Sequence, residues 1–299
     1  MNIKKTMTIL TIFLFSTNLV QTTFAQSVSH VKHDKSLLWK ISGNGLEKPS
    51  YMYGTIHILD SAYFYMEEIV KVRFVECDKL VTEVDTDDPN FQKKTITAAM
   101  MKEDSIENLL SKEEYNKVDS FFTELLKIPL QAVNRIKPFY LSEMPVVLLI
   151  PKNTKSYEEE FKKMAKNQNK EILGISTVEK EAEIIDGIGL KVQAQILIES
   201  VDNYKSDYAR MEKVLTLYQE YDISEIHNTI KAATDEHRVV YQVLFPNRHE
   251  VWIPKMESLM YNNSCFFAVG VGHLSGEQGL IELLKEKGYS VEPENMNQY

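Results

Sequence analysis

The chain has 299 residues, 43% hydrophobic and 10% aromatic, enough apolar material for a sizeable core, which excludes a disordered or low-complexity protein. Its formal charge of −9 argues against nucleic acid and anionic membranes as partners. Only two cysteines occur, Cys77 and Cys265, and neither forms a CxxC pair, so a dithiol redox centre and a cysteine-based zinc knuckle are excluded.

The first 25 residues differ from the rest. Lys4 and Lys5 precede the apolar run MTILTIFLFSTNLV, and TTFAQS follows with Thr23 and Ala25 at the small-residue positions of a cleavage site. That run is short for the roughly 20 residues a spanning helix needs. The pattern predicts a signal peptide cleaved after Ala25, a flexible stretch at 26–35, and an exported protein, periplasmic or extracellular, with no stable membrane insertion. Cleavage removes two lysines and no acid, moving the charge from −9 to −11. In an oxidising compartment a Cys77–Cys265 disulfide is allowed. Two separately buried thiols fit the apolar neighbourhoods of both cysteines equally well.

In chain order, LLWKIS (37–42) and YMYG (51–54) predict two strands of a hairpin across GNGLEKPS. DSAYFYMEEIVKVRFVECD has helical spacing, with Met66, Ile69, Val70 and Phe74 on one face, and leads into the short strand KLVTEVD. From about 95 to 241 the pattern is mostly helical, a lobe interrupted by one strand at Glu171–Ser176. Serine and threonine at helix starts, with glutamates in first turns, mark several of its boundaries. A helix around RHEVWIPKMESLMYN, the strand CFFAVGVG, the helix GLIELLKEKG and the strand YSVEPE complete the chain. The expectation is an α/β fold: a single domain over 36–299 whose β-sheet core carries two strand ends of the same form, with a large helical insertion between its N- and C-terminal parts.

Those two strand ends are Gly54–His57 (GTIH) and Gly270–His273 (GVGH), each a strand closing on glycine with histidine three positions on. Side chains just past a buried strand are held rigidly and face solvent. Adjacent strands would bring His57 and His273 together, and a pair of imidazoles with one carboxylate is a three-ligand set that leaves a position for water. Glu83 in TEVD is the candidate carboxylate. Asp85 shares its strand face and remains open as ligand or as a group orienting a histidine. His30, His33, His227, His237 and His249 lie in polar or helical stretches and are expected at the surface.

At YMYGTIHIL with TEVD, and at AVGVGHLSGEQGLIELLKEKGYSVEP, the chain resembles the TraB/PrgY/GumN family, to which the Tiki metalloproteases are related. KPFYLSEM, LGISTVEKEAEIIDGIGLKVQAQIL and RHEVWIPKM extend the likeness over about residues 36–295. The resemblance implies an erythromycin-esterase/ChaN-like α/β fold. It implies a centre built from His57, Glu83 and His273, with Arg248 matching the arginine of an RNxxW pattern. Ser176 stands where the family carries the glutamate of GLET, and His249 where it carries the asparagine of RN.

On this resemblance the expected activity is that of an exported metallohydrolase acting on a peptide or protein. His57, Glu83 and His273 would hold a divalent ion (Mn, Co, Fe or Zn), and Arg248 would supply charge stabilisation. Two other readings stay open: capture of a peptide or other ligand without turnover, as in pheromone-shutdown relatives, and a metal-independent hydrolase with a histidine base. A homodimer is equally open.

Overall fold

The computed structural model describes residues 31–147 and 153–296. The expected signal peptide lies outside the described residues. Among the described residues, no helix is long and apolar enough to cross a membrane.

The architecture is mixed α/β around a six-stranded, mostly parallel sheet. Its strands are β1 (Leu38–Gly43), β2 (Ser50–Thr55), β4 (Lys79–Val84), β6 (Glu171–Ser176), β7 (Cys265–Gly270) and β8 (Tyr289–Pro293), in the order β6-β4-β7-β2-β1-β8. β3 (Leu59–Asp60) and β5 (Thr154–Lys155) form a separate two-stranded ribbon. The first two strands form the expected antiparallel hairpin, and β8 adds to β1 antiparallel. β2, β7, β4 and β6 run parallel, and β7 is buried along nearly its whole length, as a strand covered on both faces must be.

Alternation along β7 sends Phe266 and Phe267 to opposite faces. Phe266 enters an aromatic cluster with Tyr53, Phe74 and Phe161, whose neighbouring ring centroids lie 4.9 to 6.4 Å apart. Phe161 comes from the helix Tyr157–Asn167, which packs on β4 and β6 and is capped by the Ser156 hydroxyl accepting from Glu159 N–H. The helix Pro246–Met260 also packs on β6 and buries Trp252 and Met256. A second apolar cluster, including Phe122, Leu130, Leu141 and Leu197, joins the 112–121 region to the long helix Leu190–Gln219.

Two helices differ from their expected extents. The α-helix expected from Asp60 onward spans only Glu68–Glu76, after a 3-10 turn at Ser61–Tyr63 and an extended strip. Tyr157 holds that strip: its hydroxyl donates to the Tyr65 carbonyl at 2.6 Å and its ring lies 4.6 Å from Phe64. The stretch beginning SIENLL is split because Ser111 and Glu114 form a capping box, which starts a new helix at Lys112. Both cysteines are buried free thiols.

Two predictions follow from packing and burial. Phe161 is fully buried, so Phe161→Ala is expected to cost about 3–5 kcal/mol in denaturant unfolding. Asp207, fully buried on the long helix beside Arg210 at 2.9 Å, has its carboxyl pushed up to about 7 by desolvation, which Arg210 only partly offsets. A raised folded pKa means the protonated form stabilises the fold: the contribution is complete below the unfolded value of 3.8 and is lost as pH rises through about 7. Asp207→Asn is therefore expected to flatten the decline in stability between about pH 4 and 7, by up to roughly 4 kcal/mol. Urea melts across that range read it, and an unchanged slope would contradict it.

Candidate functional site

Register places the site. β2 and β7 pair in parallel with Gly54 opposite Val269 and Thr55 opposite Gly270, so both strands end at one sheet edge and their chains turn there together. A Cβ on Gly54 would lie 2.7 Å from Leu274 Cδ1 and 3.2 Å from Val271 Cα, so the turn after β7 can sit on β2 only because that position is glycine. A Cβ on Gly270 would point into the site itself, 3.2 Å from Glu83 Oε1, 3.4 Å from His57 Nε2 and 3.5 Å from His273 Cδ2.

Glu83, near the end of the next strand, joins the two histidines. Its Oε1 accepts from Gly270 N–H at 2.8 Å and lies 3.7 Å from His57 Nε2 and 3.8 Å from His273 Nε2. Its Oε2 accepts from an Arg248 guanidinium N–H at 2.7 Å. Burial alone would raise the Glu83 carboxyl, but the Arg248 and His57 charges and the Gly270 N–H outweigh it and hold it below the usual range. Asp85, by contrast, turns to the loop, where its carboxylate accepts from Asp87 N–H, and it does not line the cavity at the strand ends.

Arg248 sits in the first turns of the helix Pro246–Met260, which Pro246 starts. Beyond Glu83 it meets Glu181, with Nε 2.5 Å from Oε2, and its guanidinium lies 4.6 Å from the Trp252 ring centre. The Trp252 indole N–H donates to the other Glu181 oxygen at 3.1 Å. Glu181, on the helix Val178–Asp186 that follows β6, thus fixes both. Sequence reasoning passed over it because it sits among other glutamates in TVEKEAE. Ser176, at the family's glutamate position, has a buried hydroxyl without a hydrogen-bond partner.

Each imidazole is oriented through its Nδ1. His57 Nδ1 is 2.6 Å from Glu158 Oε1, and Glu158 also accepts from the Thr55 and Ser156 hydroxyls. Burial works against charge on His57, but Glu158 and Glu83 prevail and raise it to about 9. Glu158 was also missed, since it looks like one of three acidic residues in a helix first turn.

His249 corrects a sequence expectation: it is buried, not at the surface. Its Nδ1 is 2.6 Å from the Gln278 carbonyl, and its Nε2 is 2.9 Å from His273 Nδ1. A carbonyl can only accept, so His249 Nδ1 carries its proton, its Nε2 accepts from His273 Nδ1–H, and His273 Nε2 is left as a lone pair. Arg248 N–H reaches that atom at 3.3 Å. Burial, with Arg248 adding to it, lowers His249 to about 4 and His273 well below its ordinary value, so both are neutral at physiological pH. The same surface expectation fails for His33, packed edge-on to Trp39, and for His227, packed edge-on to Tyr241. His237 is half-buried, 2.8 Å from Glu199; His30 lies outside the described residues.

The result is a buried network of two imidazoles offering Nε2, a carboxylate between them, and a guanidinium clamped by two carboxylates. Among the described residues, no three His, Cys, Asp or Glu side chains are gathered into a ready-made metal-ligand cluster, and Arg248 occupies one Glu83 oxygen. The chemistry open to it is Lewis-base donation from the His273 Nε2 lone pair, joined by His57 Nε2 when that ring gives up its proton, with positive charge alongside.

The TraB/PrgY/gumN family model matches residues 37–293. Among curated proteins, the Metalloprotease TIKI2 of Danio rerio is 20% identical over 325 aligned positions, which cover 87% of this chain and 61% of the relative. The chain therefore spans about three fifths of that relative's length. No solved structure matches.

The proton chain through His249 yields a stability prediction. His249→Leu leaves the His273 Nδ1–H buried without an acceptor and is expected to cost about 1–3 kcal/mol beyond the volume change. His249→Gln, whose Oε1 reaches toward the place of Nε2, is expected to recover most of that loss in chemical denaturation. Equal loss in both variants would mean that His249 acts by packing alone.

Proposed function

This chain belongs to the TraB/PrgY/gumN family, and from that premise we propose that it is an exported metal-dependent hydrolase whose substrate is a peptide or protein. The observation that carries the reading is the pair of imidazoles with Nδ1 engaged, His57 by Glu158 and His273 by His249, both Nε2 atoms within 3.8 Å of one Glu83 oxygen. Orienting a histidine through its far nitrogen is how proteins prepare it to ligate.

The donor set fits a divalent ion. Two nitrogen lone pairs and a carboxylate oxygen suit Mn, Co, Fe or Zn, and separations of 3.7 and 3.8 Å are close to the roughly 3.4 Å between two ligands of one tetrahedral ion. The surrounding charge fits as well: Glu83, Glu158 and Glu181 against Arg248 leave an excess of two negative charges once both imidazoles are neutral. His57, Glu83 and His273 would hold the ion, which when bound lowers the pKa of a water and polarises a carbonyl.

The chain's own residues do the rest. Arg248 holds Glu83 in place and presents the N–H now facing His273 Nε2 toward negative charge developing on the carbonyl oxygen. Glu158 and His249 keep the two imidazoles from rotating. Hydrolysis adds the hydroxyl of water to the acyl carbon and sends a proton to the departing amine as the C–N bond breaks. The resemblance to Metalloprotease TIKI2 supports proteolysis as the reaction, and the apolar run ahead of TTFAQS supports export.

Elemental analysis of the purified protein, dialysed against trace divalent ions, tests this reading. Near-stoichiometric metal is expected, lost in His57→Ala/His273→Ala, with peptide cleavage falling at least 100-fold in that variant and abolished by chelator in the native protein. Glu158→Gln should weaken metal affinity by about 10–100-fold without unfolding the protein. Cleavage that survives both the double variant and chelation would sink the metal assignment; stoichiometric peptide retention without product would replace hydrolysis by capture.

A further inference from the structure

The polar network opens into a cavity of about 130 Å³ whose remaining walls are apolar apart from the Glu143 carboxylate. Phe139, Met211, Val214, Leu215, Ile230 and Phe245 supply most of that wall. Met211, Val214 and Leu215 belong to the long helix Leu190–Gln219, spaced three and four residues apart, and so share one face. Tyr218, one turn further on, donates its hydroxyl to the Gly54 carbonyl at 2.8 Å. That bond anchors the helix over the strand end that carries His57. Phe245 closes the other flank, its ring 5.0 Å from the His273 ring.

From this placement we propose that the cavity is a subsite for one aromatic or branched aliphatic side chain of the substrate, adjacent to the bond that is cut. The proposal deepens the hydrolase reading and rests on it. Three considerations choose the occupant. An engineered apolar cavity of about 150 Å³ takes up benzene, so 130 Å³ holds a leucine- or phenylalanine-sized group. Apart from Glu143, the walls outside the network offer a polar side chain few partners, and an unpaired polar group would cost several kcal/mol there. The space is continuous with His57, Glu83, Arg248 and His273, which line the same cavity, so its occupant sits within about one residue of the reacting carbonyl.

Peptides identical except for Gly, Ala, Leu, Phe or Asp at each position flanking the cleaved bond test the subsite, with cut positions mapped by mass spectrometry. At one flanking position kcat/KM is expected to be at least 10-fold higher for Leu or Phe than for Gly or Asp. Leu215→Trp, which fills the cavity from a partly buried position outside the polar network, should lower kcat/KM for the Phe peptide at least 10-fold more than for the Ala peptide. A readout independent of turnover accompanies it: saturation-transfer NMR with N-acetylphenylalaninamide and N-acetylglycinamide. The phenyl probe should bind the native protein and be lost in Leu215→Trp, with the glycine probe silent in both and unchanged circular dichroism showing that the variant is folded. Cleavage without preference for Leu or Phe, or a native protein that does not bind the phenyl probe, overturns the subsite. Phenyl binding that Leu215→Trp abolishes, with no peptide cut, supports the subsite and fails the hydrolase reading instead.

Discussion

The parallel pairing of β2 with β7 is the constraint on which the site depends. Slipping the register by one residue would reverse the facing of every side chain on the moved strand. It would also part Thr55 from Gly270 and with them the two turns that deliver His57 and His273. The sheet fixes that register from both sides, because β7 also pairs with β4, the strand of Glu83, and β2 with β1. Three side chains distant in sequence therefore meet through backbone hydrogen bonding, and the glycines at 54 and 270 leave the room in which they meet.

Around that frame the electrostatics are arranged in pairs. Arg248 is buried, which is tolerable only because Glu83 and Glu181 flank it. Glu158 plays the corresponding part for His57, and a neutral histidine does so for His273. The two imidazoles, chemically alike in sequence, are thus set differently: one draws toward charge and the other away from it. Burial acts on both alike, so the neighbours make the difference: the Glu158 carboxylate beside His57, and Arg248 with a neutral His249 beside His273.

Much of this was legible in the sequence. The period-2 and continuous apolar runs located β1, β2, β4, β6, β7 and β8, and Ser156 and Thr177 announced helix starts with side-chain caps, whereas Ser111 lay inside what reads as one helical run. His57, Glu83, Arg248 and His273 converge because each stands next to a strand end or helix start that pattern alone can find. Glu158, Glu181 and His249 were hidden for one reason: each lies on a helix whose rotation about its axis is set by tertiary packing. In a run such as Glu158–Glu160 nothing local says which carboxylate turns inward. Tyr157 likewise shortened the 60–78 helix through a contact about 90 residues away, which no local pattern encodes.

The distance in sequence between the two histidines also governs when the centre can exist. A chain that emerges N-terminus first from a ribosome carries His57 and Glu83 early, but β7 brings His273 only about 190 residues after Glu83. Until β7 inserts between β2 and β4, those strands have no common neighbour and Arg248 has no completed pocket. Such non-local pairing forms late because loop closure must come first. The three side chains therefore meet only after β7 has been made and has inserted, and no shorter N-terminal part of the fold holds the network.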